Sequence, residues 1–342
     1  MRRPLAKAVE FVRAHVTWHF VGIVLSCGII AVAAYTLFYL LRDVEVAKVT
    51  AALRDTPPHQ IAIAAVFVAL AYLTLTFYDL FALRTIGKLN VPYRVAAFTS
   101  FTSYSIGHNI GATVFTGGAV RFRIYSAWGL DVIDVTKIAF VTGLTFWLGN
   151  AFVLGGGMAY EPAVASVIDQ LPPWANRLIG LAGLAAIVAY LLWLLPRKRT
   201  IGWSGWLVTL PSAPLTLVQI GLGILDLGCS AVAMYVLVPD DPHLDFINVM
   251  VAFVLATLLG FASHAPGGVG VFDAAMLVGL HQYPKEELLA ALLLFRLLYY
   301  IVPFAIALVF LGSRELWMSA RAAAARKHAD HRKARDGVTP PT

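Results

Sequence analysis

The stretch SYSIGHNIGATVFTGGAVRFR, residues 103–123, brings together four glycines, several hydroxyls and one amide in a chain otherwise built of apolar blocks. In hydrocarbon every backbone N–H and C=O needs an internal partner, so such a run is a poor lipid-facing helix. It reads as a re-entrant, discontinuous segment over about residues 95–118, entering and leaving on one side of a membrane. The fold follows from that reading and from what flanks it.

The flanks are long and apolar. Residues 19–41, 61–83, 132–158, 178–195, 214–238, 246–263 and 288–311 each meet or approach the ~20 apolar residues that a helix needs to cross a bilayer. Of the 342 residues, 59% are hydrophobic and 13% charged, about half the charged fraction of a soluble domain. The first block follows Arg2, Arg3, Lys7 and Arg13, as a signal peptide would. It nevertheless continues through Tyr35, Phe38 and Tyr39, past the 7–15 apolar residues typical of one, and reads as an uncleaved span. Cys27 and Cys229 sit inside apolar blocks without metal-ligand spacing and read as packing residues.

The net charge of +7 is located in the two ends: +3 in residues 1–17 and +4 in residues 312–342, leaving the region between them neutral. Beside membrane spans, basic ends read as cytoplasmic anchors against anionic lipid, not as a nucleic-acid surface. The loops alternate. Residues 84–94 and 196–211 carry three basic groups each and no acid, whereas 159–176 and 239–245 are acidic with no base. The positive-inside rule then puts both termini in the cytoplasm, provided that 95–118 is re-entrant and the short run 267–280 crosses. The expected architecture is an all-α integral membrane bundle of about eight crossings plus a re-entrant segment. Residues 1–311 form the transmembrane unit and 312–342 a basic tail.

An inverted repeat is also expected. TFYDLFALR, with Asp79, precedes GHNIGATVFTGG, just as GILDLGCS, with Asp226, precedes GFASHAPGGVGVFD. By the loop charges the two acid-bearing helices run in opposite directions, the arrangement in which substrate lies between repeats.

Ionisable side chains inside a bilayer cost at least ~2.5 kcal/mol each at a helix centre, so Asp79, Asp226, Asp273 and Arg296 need reasons. Asp79 is either a buried functional acid or a snorkelling one beside Arg84. Asp226 is too deep to snorkel. Arg296 is expected to pair with Asp226 or Asp273. Asp273 otherwise caps the helix that follows Gly267, Gly268 and Gly270, a start whose N–H groups suit an anion. Gly117 and Gly118 with Arg121 and Arg123 offer the corresponding head-group site, or simple cytoplasmic anchors. His108 beside Asn109 is a proton relay or a packing histidine. Walker A, HExxH and nucleophile-elbow patterns are absent, so neither ATP coupling, enzyme chemistry nor a cofactor is expected.

At FYDLFALR, SYSIGHNIGATVFTGGAVRFRIYSAWGL, PGGVGVFD and FRLLYYIVPF the chain resembles the membrane domain of lysylphosphatidylglycerol synthetase, the multiple peptide resistance factor, over about residues 15–311. The resemblance implies a flippase domain that moves aminoacylated phosphatidylglycerol from the inner to the outer leaflet of the bacterial inner membrane. It links Asp79 in the YDL context and Arg296 in the RLLYY context to flipping, with Asp226 as a further acid. Complete synthetases continue into a cytosolic aminoacyltransferase domain, whereas this chain ends at Thr342, so synthase activity is expected to be absent. The alternative is a membrane scaffold for a separately encoded lipid-modifying synthase. Expected partners are phospholipid, membrane, and either such a synthase or a second copy of the chain.

Overall fold

The computed structural model describes residues 44–111, 113–195, 199–203 and 206–314, with Tyr35, Phe38, Leu41 and Arg42 before them. Most of the expected first span, Cys27, the basic N-terminal end and most of the 312–342 tail lie outside the described residues. In chain order the helices are α1 (Val46–Asp55), α2 (Pro58–Thr85), α3 (Tyr93–Ile110), α4 (Thr113–Tyr125), α5 (Val132–Tyr160), α6 (Pro162–Asp169) and α7 (Pro173–Leu194). A small β1 (Thr200–Trp203) and β2 (Trp206–Thr209) pair follows, then α8 (Ala213–Leu237), α9 (Phe246–Ser263), α10 (Val271–Gly279) and α11 (Lys285–Arg314).

The chain is an all-α polytopic membrane protein: α2, α5, α7, α8, α9 and α11 are long and apolar enough to cross a membrane. They expose large apolar side chains such as Val66, Leu178, Val188, Leu217 and Val309, as lipid-facing surfaces do. Local signals set the helix starts. Pro58, Pro162 and Pro173 occupy first turns, where a missing N–H costs nothing. Asp131 and Asp134 accept each other's backbone N–H at 2.7 and 3.3 Å, opening α5 with a capping box.

Small residues let helix backbones approach where no hydrophobic force drives them together. A Cβ at Gly149 of α5 would lie 2.5 Å from the Cα of Gly223 on α8. Four residues before Gly223, Gln219 donates to Thr145, four before Gly149, at 2.9 Å, so α5 and α8 run parallel. Phe146 meets Phe261, and Gly157 faces Val251, so α9 runs antiparallel to both.

The stretch expected to be re-entrant is a helical hairpin. α3 turns at Gly111 (φ +84°), and α4 returns alongside it, Gly107 against Thr113 and Gly117 against Ser103. α9 and α10 form a second hairpin around the turn Pro266–Gly268, with Gly260 against Gly268 and Ala252 against Gly279. The expected crossing 267–280 is thereby corrected. α10 has nine residues, about 14 Å at 1.5 Å per residue, less than half the ~30 Å hydrocarbon thickness, and it folds back along α9. A hairpin and two crossings leave the chain on the same side, so loop charge alone does not separate them. The hairpins meet tip to tip: a Cβ at Gly111 would lie 3.1 Å from the carbonyl oxygen of His264 and 3.3 Å from Pro266.

Two further features were not expected. The loop 196–211 contains β1 and β2, antiparallel, with Trp203 opposite Trp206 across two residues. And α11 carries a π-helical turn, Leu297–Ile301, two residues before Pro303. A proline ring displaces the carbonyl four residues back. That carbonyl, of Tyr299, accepts the Tyr72 hydroxyl at 3.0 Å, and the next, of Tyr300, accepts the Asn109 amide at 3.0 Å.

Candidate functional site

Each hairpin's return arm is tied to a long helix by an ion pair, buried on the first hairpin and partly buried on the second. On the first, Arg121 of α4 forks onto Asp79 of α2, with Nε 3.0 Å from Oδ2 and Nη2 2.7 Å from Oδ1; Tyr125 donates to the same carboxylate at 2.8 Å. The side chains of Asp79 and Arg121 are 0% and 4% exposed. Asp79 is therefore not a snorkelling acid beside Arg84; its charge is met inside the protein. Arg121 is neither a surface anchor nor open to a head group. Gly117 makes room for it, a Cβ there lying 3.4 Å from its Nη1. Gly118 faces open space, and Arg123 is exposed.

On the second hairpin the polarity is exchanged. Asp273 of α10 receives Arg296 of α11, with Nε to Oδ1 at 2.8 Å and Nη2 to Oδ2 at 2.7 Å, and Arg296 also donates to the Gly267 carbonyl at 3.0 Å. Asp273 further accepts the Gly270 N–H at 2.9 Å. Both readings of Asp273 thus hold, cap and ion-pair partner. Of the two acids expected for Arg296, the structure selects Asp273. Gly267 (φ +60°) aims its carbonyl at that arginine, while Gly268 packs on Gly260. Two fully formed bidentate pairs of this kind bring no net charge into the interior.

Asp226 of α8 stands apart. It is 5% exposed; Oδ2 accepts the Tyr78 hydroxyl at 3.2 Å, and Oδ1 has no hydrogen-bond partner. Among the described residues no basic side chain pairs with it. Buried polar atoms are almost always satisfied; of the exceptions here, this oxygen alone belongs to a carboxyl group.

Aromatic rings connect the two ion pairs. The Arg121 guanidinium lies 4.8 Å from the Tyr104 ring, Tyr104 is 5.6 Å from His108, His108 is 6.5 Å from Tyr300, and Arg296 is 5.6 Å from Tyr300. Tyr78 joins this line through Tyr104 at 6.2 Å. His108 is half-buried, and its Nδ1 has no partner. Asn109 is bound to the Ser105 and Tyr300 carbonyls and so holds the hairpin tip to α11. Tyr72, Tyr78, Tyr104, Tyr125 and Tyr300 escaped the sequence reading. For Tyr78 and Tyr300 the signal was present in FYDL and RLLYY: phenols near ionisable residues inside apolar spans. No group of three or more His, Cys, Asp or Glu side chains able to hold a metal occurs among the described residues.

These features define a class: a polytopic helical membrane protein with two hairpins meeting tip to tip, each pinned by a bidentate Asp–Arg pair. The chain belongs to the family described as the lysylphosphatidylglycerol synthase transmembrane region, whose model matches residues 20–307. It is 31% identical to the uncharacterized protein slr0712 of Synechocystis, over 72% of this chain and 76% of that one. It is 27% identical to the inner membrane protein YbhN of Escherichia coli, over 87% and 93%. Phosphatidylglycerol lysyltransferase of Staphylococcus haemolyticus is 29% identical over 73% of this chain, which spans only 29% of that enzyme. The chain therefore matches the transmembrane part of such lysyltransferases.

Proposed function

We propose that this protein is a flippase-like transporter that moves aminoacylated phosphatidylglycerol, or a phospholipid of similar charge, between leaflets. Membership of the transmembrane family supports a lipid substrate. The observation that carries the reading is Asp226, a buried acid with one empty acceptor in an interior whose other acids, Asp79 and Asp273, are already matched by arginine. A phosphatidylglycerol bearing lysine has two ammonium groups and one phosphate, a net charge of +1, which one uncompensated carboxylate would balance.

In this reading Asp226 meets the ammonium. The ion pairs Asp79–Arg121 and Asp273–Arg296 hold the return arms while the hairpins shift against each other, and opening of either pair exposes a guanidinium to the phosphate. Gly117, Gly118, Gly267 and Gly268, with His108 and Asn109 at the first tip, line the path. The basic loops support an arrangement with the N-terminus and the 312–342 tail in the cytoplasm, in which the two hairpins would enter from opposite faces of the inner membrane.

Labelling of outer-leaflet aminoacyl lipid in cells that make the lipid, with the wild-type chain and with Asp226→Asn, tests this. More labelled lipid with the wild type than with the variant is expected. Equal labelling with and without the protein removes the proposal and favours the scaffold reading, in which the saturated ion pairs serve only the fold.

A further inference from the structure

We propose that Asp226 is also a proton carrier, so that the protein exchanges one proton for each net positive charge of lipid head group. This rests on the transport reading above and adds its energy source. The argument begins with charge balance. Both hairpin pairs are internally neutral, so among the described residues Asp226 is the buried acid left to balance the net charge of a cationic head group.

Among the described residues the surroundings of this carboxyl are apolar, phenolic or thiol groups. The ionisable groups that act on it are Tyr72 and Tyr78 from α2, Tyr104 from α3, Tyr299 from α11, and Cys229 on its own helix. Among the described residues, α5, α7 and α9, which also pack on α8, add no basic group to that set. Tyr78 donates to Oδ2, and Oδ1 faces no donor. An empty site thus offers the carboxylate one neutral hydrogen bond and no counter-charge, conditions under which an isolated buried charge is discharged by protonation. A head-group ammonium supplies the missing counter-charge and releases the proton. The carboxyl then returns across the cycle carrying either a proton or a cation, and the two fluxes oppose each other. A sodium ion would need several oxygen ligands, and a single carboxylate without a second acid does not provide them.

The full chain reconstituted in liposomes containing lysyl-phosphatidylglycerol tests this with three readings: amine labelling of the outer leaflet, a luminal pH dye and infrared difference spectra. The lipid should accumulate in the leaflet facing the more acidic side, whichever way the protein is inserted. A gradient of about one pH unit sets a ceiling of about tenfold on the leaflet ratio. A sodium gradient at equal pH should have no effect. Asp226→Asn should abolish the response to pH. The protonated-carboxyl band of the wild type, absent from Asp226→Asn, should vanish when lysyl-phosphatidylglycerol is added and persist with phosphatidylglycerol.

Lipid that equilibrates equally with and without a pH gradient overturns the coupling and leaves the transport reading standing. A sodium-driven ratio, or a wild type without the protonated band, also overturns it. No lipid movement under any condition overturns both.

Discussion

Tyr78 and Asp79 are neighbours in sequence that serve different faces of α2: the Tyr78 hydroxyl donates to Asp226 on α8 at 3.2 Å, while Asp79 takes Arg121 of α4 at 2.7 Å. Successive helical residues point about 100° apart, so one dipeptide joins the lone acid of the second half to the ion pair of the first. α8 is therefore linked through α2 to the return arm of the first hairpin.

The Asp79–Arg121 pair should behave as a unit. Removing one partner strands a buried charge, and Arg121→Ala is expected to cost about 3–5 kcal/mol of stability. Replacing both with apolar residues of similar size (Asp79→Leu with Arg121→Met) should recover most of that loss. Thermal unfolding in detergent of both singles and the double decides it. Additive losses would show that the pair is not coupled.

Tyr78→Phe deletes the one hydrogen bond that the Asp226 carboxylate receives among the described residues, without changing the ring packing against Tyr104. The chain should fold with a melting temperature close to wild type, because the carboxyl can accept a proton instead. Lipid movement at neutral pH should change, and the protonated-carboxyl band should strengthen. A variant that unfolds would assign Tyr78 to the fold alone.

Tyr72→Phe leaves the Tyr299 carbonyl, displaced by the π-helical turn ahead of Pro303, without its donor. An unsatisfied buried acceptor costs about 1–3 kcal/mol, and unfolding in detergent should show a loss of that order. Stability equal to wild type would mean that the carbonyl finds another partner.

Gly223→Leu drives a side chain into the Gly149 backbone, where even a Cβ has no room. Overpacking typically costs about 1–3 kcal/mol, occasionally more, and here it should part α5 from α8. Gly221→Leu, two residues away and facing open space, should be tolerated. Equal effects at the two positions would contradict the close approach.

Much of this architecture is legible in the sequence, because the bilayer imposes length, apolarity and backbone satisfaction together. The long blocks emerge as helices, and SIGHNIGATVFTGG betrays a turn through glycines that a lipid-facing helix would not carry. The second hairpin is harder to read. GFASHAPGGVGVFD is flanked by apolar residues on both sides, and a return arm and a short crossing look alike until Gly279 is seen against Ala252. The Asp79–Arg121 pair is hidden for another reason. Its partners lie 42 residues apart, and an arginine just after a glycine-rich run is equally well accounted for by the positive-inside rule. The β1–β2 pair has a local signal, Ser-Gly between alternating apolar residues, which is easily lost beside the basic run that precedes it.

The central claim is that a cationic phospholipid crosses the bilayer by way of Asp226. The most direct measurement is the rate at which lysyl-phosphatidylglycerol changes leaflets in liposomes carrying the purified chain, compared with protein-free liposomes and with Asp226→Asn. The account predicts rapid leaflet exchange with the wild type and a rate near that of protein-free liposomes with the folded variant. Exchange by the wild type no faster than in protein-free liposomes, or undiminished in Asp226→Asn, would contradict it.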